Sequence, residues 1–218
     1  MKSPLRRLAL PLLLVAVTAG VQGCFPFVAG GMTAGALMMA DRRSSGTYVE
    51  DEGIELKIGN RISEQLGDQV HVNVTSYNRK ALLTGEVPSA EIKDKVGQIA
   101  AEVPNVTGIH NELQVAGISS FSARSSDTLI TSKVKARFVD GKRFSANWVK
   151  VTTEAGVVYL MGLVTQQEAD DAIELARTTS GVTKVVNLME IISYAQAKEL
   201  GTRSNDNPGV PSPNNTAR

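Results

Sequence analysis

The chain has a single cysteine, Cys24, in 218 residues. No intrachain disulfide and no cysteine-based metal cluster can form. Histidine occurs only as His71 and His110. Neither has a second ligand in sight along the sequence, and both read as unpaired strand histidines, with His71 pointing outward. No Ser-His-Asp or Cys-His arrangement is evident, so no enzymatic activity, cofactor or metal is expected. The net charge is only +1, and a near-neutral chain does not call for nucleic acid. Long apolar runs are missing too. Residues 8–17 and 25–40 are apolar, and both fall short of the roughly 20 residues that a spanning helix needs.

What is present starts with a processing signal. Lys2, Arg6 and Arg7 precede the apolar run 8–17, and small residues follow. Residues 1–23 therefore read as a secretory signal peptide. Its end, Val21-Gln22-Gly23-Cys24, resembles a bacterial lipobox, in which cleavage precedes a cysteine that carries the lipid. Cys24 is the expected lipidation site. Acyl chains contribute about 0.8 kcal/mol per buried methylene, so several of them anchor firmly. Phe25 stands where Asp is the usual signal for retention at the inner membrane, which implies the outer membrane. Residues 24–48 read as the lipidated cysteine and a Gly/Ala-rich tether, polar from Asp41 to Tyr48.

The remainder is written twice. D-x-x-I-x-x-x-V-x-x-x-F, with Asp127, Ile130, Val134 and Phe138, repeats Asp51, Ile54, Ile58 and Ile62 from 76 positions earlier. NWVKVTTEAGVVYLMGLV answers VHVNVTSYNRKALLTGEV at an offset of 77, with Gly162 on Gly85. GVTKVVNLMEI answers NVTGIHNELQV, with Asn187 on Asn111. Such a repeat fixes the architecture as two units. Their expected bounds are 49–116 and 127–194, joined by a Ser-rich linker over 117–126. Domains that short bury only roughly 60% of their unfolded surface, so the two are expected to pack on each other. After Tyr194 the chain turns polar, with three prolines and four asparagines from Asn205 to Arg218. Residues 195–218 are therefore expected to be disordered.

Within each unit the periodicity reads helix, strand, strand, helix, strand. Ile54, Ile58, Ile62 and Leu66 form one helix stripe, with Asp51 as the expected N-cap. Val70, Val72 and Val74 alternate with polar residues as a half-buried strand. Residues 80–86, 90–103 and 106–115 complete the first unit. The second runs through a helix over 128–139, a strand about Val149 and Val151, a turn at Ala155-Gly156, a strand over 157–164, a helix over 167–178 and a strand over 182–192. The helix stripes must be covered, so an α+β fold is expected, with two helices on one face of a three-stranded mixed sheet in each unit.

The helix opening, the L-x-G after the second strand (Leu83-Thr84-Gly85 and Leu160-Met161-Gly162) and the close through Gly181, Val182, Val185 and Asn187 together resemble the BON domain. With the lipobox and tether, the whole is similar to the dual-BON outer-membrane lipoproteins. That resemblance implies a non-enzymatic lipoprotein facing the periplasm, which binds an anionic phospholipid surface through its second domain and supports outer-membrane integrity. The alternative is a scaffold that docks envelope protein partners without direct lipid recognition.

Charge separates the copies. Residues 50–80 hold four basic and six acidic side chains, whereas residues 124–150 hold seven basic and two acidic. Near an anionic lipid surface each basic residue is worth about 1 kcal/mol. With Ile130, Val134 and Phe138 turned inward, Leu129, Ser132, Lys133 and Ala136 face out, and Arg137 lies on the flank. The helix N-terminus there is expected to offer backbone donors to a phosphate. Lys142 and Arg143, with Phe144, follow in the next loop. The competing reading is a solvated basic face with one ordinary exposed leucine. Trp148 is out of phase with Val149 and Val151. It is expected on the sheet face away from the helices, either as an interfacial anchor or as filling between the domains. Glu168, Asp170 and Asp171 read as a solvated helix face.

Overall fold

The computed structural model describes residues 41–203. The expectations for the signal peptide, Cys24, the apolar tether and the tail beyond residue 203 lie outside the described residues.

The first unit opens with α1 (Ser45–Leu66), followed by strands β1 (His71–Tyr77) and β2 (Lys80–Val87). Helix α2 (Ala90–Ala101) leads to β3 (Gly108–Asn111) and β4 (Gln114–Val115). The second unit repeats the order as α3 (Phe121–Gly141), β5 (Val149–Glu154), β6 (Val157–Val164), α4 (Gln166–Arg177), β7 (Lys184–Asn187) and β8 (Glu190–Ile191). A last helix, α5 (Tyr194–Arg203), follows. In each sheet the hairpin pair is antiparallel, and the closing strand runs parallel to the middle one. The fold is thus α+β with two mixed sheets.

The expected third strand is broken in both copies, which makes each sheet four-stranded. The break sits at the repeated asparagine. Asn111 Oδ1 accepts from the Leu113 amide at 3.4 Å, and Asn187 Oδ1 accepts from the Met189 amide at 3.0 Å. Such Asx turns offer the backbone an alternative to the ladder. They turn Leu113 and Met189 into the cores.

Both long helices start earlier than their apolar stripes. Ser44 caps α1 by accepting from the Thr47 amide, and Ser120 caps α3 by accepting from the Ala123 amide. The first turns do not lie on the sheet, so they carry no apolar spacing. Three corrections follow. Much of the expected linker 117–126 is helix, as is residue 45 onward of the expected polar stretch. Residues 195–203 of the expected disordered tail belong to α5, with Ala197 buried. And Asp51 is not an N-cap; like its repeat counterpart Asp127, it lies inside its helix.

Those two aspartates are buried inside their helices and reach across to the hairpin turn. Asp51 accepts from the Asn78 and Arg79 amides at 2.8 and 2.7 Å. Asp127 accepts from the Ala155 and Gly156 amides at 3.0 and 2.8 Å. The turn residues have φ of 51° and 63° in one copy and 50° and 75° in the other. Positive φ at both central positions marks the type I′ turn that suits a two-residue hairpin. The carboxylate satisfies the two amides that this turn leaves without ladder partners. The repeated Asp is therefore a clamp between helix and hairpin.

Each unit has its own core between helices and sheet. Ile54, Ile58, Ile62, Leu83, Val96 and Leu113 belong to the first, and Ile130, Val134, Phe138, Leu160, Ala172 and Met189 to the second. The opposite sheet faces pack on each other. Tyr77 and Leu82 meet Tyr159 and Met161 in a third buried cluster. Polar links frame it: Asn73 Nδ2 donates to Glu154 at 2.8 Å, Lys150 to Glu55 at 2.6 Å, Asn78 Nδ2 to Glu190 at 3.0 Å, and Tyr77 Oη to Trp148 O at 3.5 Å.

Candidate functional site

Helix α3 places its buried residues Asp127, Ile130, Val134 and Phe138 on the sheet. At 100° per residue the opposite side carries Phe121, Leu129, Ala136 and Val139. Phe121 is 80% exposed, and Leu129 and Val139 are each 61% exposed. Arg124 and Lys135 run along one flank of this stripe and Lys133 along the other, all exposed. None of the three has an ion pair among the described residues. Single exposed leucines need no explanation. A line of three large apolar side chains along one helix, edged by cations, does.

The expected site residues divide. Leu129, Ser132, Lys133, Ala136 and Lys142 are exposed, and Lys142 takes the left-handed conformation at the end of α3. Arg137 is committed elsewhere. Its guanidinium donates to Leu175 O at 2.9 Å and Thr178 Oγ1 at 2.7 Å, where it closes the end of α4. Arg143 pairs with Asp171 at 3.0 Å. Phe144 is buried edge-on against Phe138. The backbone donors expected near Thr128 are used within the helix, because α3 begins at Phe121. Phe121 and Val139 were not legible as site residues. A Ser N-cap before a turn with no apolar period leaves no periodic signal, and an outward valine looks like any other surface residue.

A second constellation lies between the units. Arg42 is buried, donates to Leu163 O at 2.8 Å and makes a two-pronged pair with Glu168 at 2.6 and 2.9 Å. Its guanidinium carbon stacks 3.6 Å from the centre of the Trp148 ring. Trp148 thus lies at the domain contact, half-buried, and is not a free anchor. Arg43 pairs with Asp41 and Asp51 and covers the Tyr77 ring at 4.1 Å. Burial holds the Tyr77 phenol well above its ordinary range, with Asp41 adding to the effect.

Glu168 is accordingly no solvated residue. Burial raises its pKa, but hydrogen bonds from Arg42 and the Thr165 amide outweigh that and leave it below its ordinary 4.5. A carboxylate held low contributes stability that is fully present above its unfolded value and is lost as pH falls through its folded value. Glu168→Gln is therefore expected to lower the Tm at neutral pH. The gap to the parent should narrow well below pH 4.5 in thermal melts. A gap independent of pH excludes this pair as its source.

His71 also departs from expectation. It faces the second unit, because the outer sheet face is covered there, and its Nδ1 lies 2.9 Å from Glu86 Oε2. His110 is half-buried, and burial, with Lys80 nearby, holds it below its ordinary range.

These features describe a pair of αββαβ modules docked sheet to sheet, with a basic and apolar outer helix on the second. Residues 50–117 and 126–193 each match the BON domain. The chain belongs to the BON domain family. It is 39% identical over 193 residues to the outer membrane lipoprotein DolP of Haemophilus influenzae, a match covering 87% of this chain and 98% of that one. It is 35% identical to the 21 kDa hemolysin of Actinobacillus pleuropneumoniae, covering 72% of this chain and 80% of the relative. Osmotically-inducible protein Y of Escherichia coli is 26% identical, with coverage of 71% and 79%. No helix among the described residues is long and apolar enough to cross a membrane.

Proposed function

We propose that this protein is an outer-membrane lipoprotein, anchored through Cys24 and facing the periplasm, whose second BON domain lays the outer face of α3 on anionic phospholipid and so supports membrane integrity. The observation that carries the reading is the exposed stripe of Phe121, Leu129 and Val139 between Arg124 and Lys135 on one side and Lys133 on the other. A surface helix with this pattern buries its apolar stripe at the headgroup boundary while its cations meet anionic headgroups. Each cation adds about 1 kcal/mol. The similarity to an outer membrane lipoprotein over most of both chains supports the anchor and the location.

Vesicle flotation of residues 41–218, which hold both cores, tests the reading. The fragment is expected to float with anionic vesicles at low salt and not with zwitterionic ones. Leu129→Glu and Lys133→Glu should each reduce the floated fraction several-fold, while Arg137→Gln changes stability more than flotation. Absence of flotation with anionic vesicles refutes lipid recognition and leaves the same face to an envelope protein partner. Flotation that survives both substitutions moves the site off α3.

A further inference from the structure

The two modules meet at a pseudo-twofold contact whose ends are not alike. Under the repeat offset of 77, His71 corresponds to Trp148, Glu86 to Leu163 and Tyr77 to Glu154. At one end Tyr77, Trp148 and Leu163 are covered by the guanidinium groups of Arg42 and Arg43. At the other end stand Glu154, His71 and Glu86, with no such pair of arginines. Glu86 and Glu154 are 6% and 3% exposed, and they come from different modules. One donor atom from each of the three residues lies within 4.8 Å of the other two. Two buried carboxylates at that distance repel; the Ser119 amide donates to Glu86 and the Asn73 amide to Glu154, but the His71 imidazole is the one group paired with either that can carry a compensating charge among the described residues.

We infer that His71, Glu86 and Glu154 form a binding site for a divalent first-row transition metal that bridges the two BON domains. One imidazole and two carboxylates balance a divalent charge. Nitrogen ligation favours zinc-like ions over calcium or magnesium. Ligand atoms about 2.0–2.2 Å from Zn2+ in a tetrahedron stand about 3.4 Å apart, a contraction within reach of side-chain rotation. The ion takes the place of the Nδ1 proton between His71 and Glu86.

A buried hydroxyl on the same sheet face is also without a partner. Thr84 is 1% exposed, and its hydroxyl has no hydrogen-bond partner. It lies two residues from Glu86 on β2 and directly across from Asn73, whose amide donates to Glu154. Alternation puts its side chain on the face that carries Glu86. A cavity of about 500 Å³ opens beside the cluster, lined by His71, Asn73 and Glu154 together with Arg124 and Asp127.

The test uses the full chain in detergent, untagged, with Cys24→Ser to remove the sole thiol. Titration with ZnCl2 should saturate at one equivalent and raise the Tm. His71→Ala and Glu154→Gln should each weaken binding at least tenfold, whereas His110→Ala leaves it unchanged. CaCl2 at the same concentrations should produce no shift. Co2+ should give a ligand-field band that Zn2+ displaces, a readout on the folded parent that stands even if a variant misfolds. No saturable uptake at one equivalent, no Co2+ band, uptake that survives both substitutions, or equal affinity for Ca2+ overturns the assignment.

Discussion

Asp51→Ala is expected to destabilise the first domain by roughly 3–5 kcal/mol, the range for removing one partner of a buried ion pair. The carboxylate is fully buried and serves four donors: the Asn78 and Arg79 amides, the Ser76 hydroxyl at 2.7 Å and Arg43 at 2.6 Å. Alanine leaves the two amides and the Ser76 hydroxyl without an acceptor in a place water does not reach, and it leaves the Arg43 charge to Asp41 alone. Asp127→Ala removes only the two amide bonds to the equivalent turn, so roughly 1–3 kcal/mol is expected there. The order of the two effects is the sharper part of the prediction. Urea unfolding of both variants measures it, and an Asp127→Ala loss equal to or larger than that of Asp51→Ala contradicts the role given to Arg43.

Gly85→Ala should cost a similar roughly 3–5 kcal/mol, from left-handed strain together with overpacking. Gly85 has φ of +113°, and a Cβ there would stand 2.1 Å from His71 O. That neighbour is backbone in a paired strand, so it cannot swing away. At the equivalent Gly162 a Cβ would meet Trp148 O at 2.4 Å, without the positive φ. The Gly162→Ala loss is therefore expected to be smaller. A Gly85→Ala protein with its urea midpoint within about 1 kcal/mol of the parent would show that β1 and β2 do not hold this close approach. The glycine of the repeated L-x-G thus admits a backbone carbonyl at the start of the preceding strand, His71 O in one copy and Trp148 O just before β5 in the other, which is a packing role.

Much of the fold was legible in the residues. A fourfold spacing of isoleucines and the offset repeat dictate two αββαβ units with helices on one sheet face, because an apolar stripe must be covered whatever surrounds it. Where each helix begins was less legible. Ser44 and Ser120 start turns that touch no sheet, so hydrophobic periodicity is silent there. The candidate lipid face was half legible. Local charge marked α3, but whether a given arginine is available depends on its partners. Arg137 closes α4, 38 positions away, and no local pattern announces that.

What the sequence alone determined is the repeat, the family-bearing positions and the strand and helix order, since these follow from local periodicity and from motifs read in one dimension. What only the tertiary structure decided is the use of the outer sheet faces. Residues that alternation marks as outward, among them His71 and Glu154, are covered because the second sheet packs on the first, and Trp148 is covered by Arg42. The same stacking brings charges from opposite ends of the chain together, as with Arg42 and Glu168 or His71, Glu86 and Glu154. Their proximity is set by the docking of two domains, and sequence separation carries no record of it.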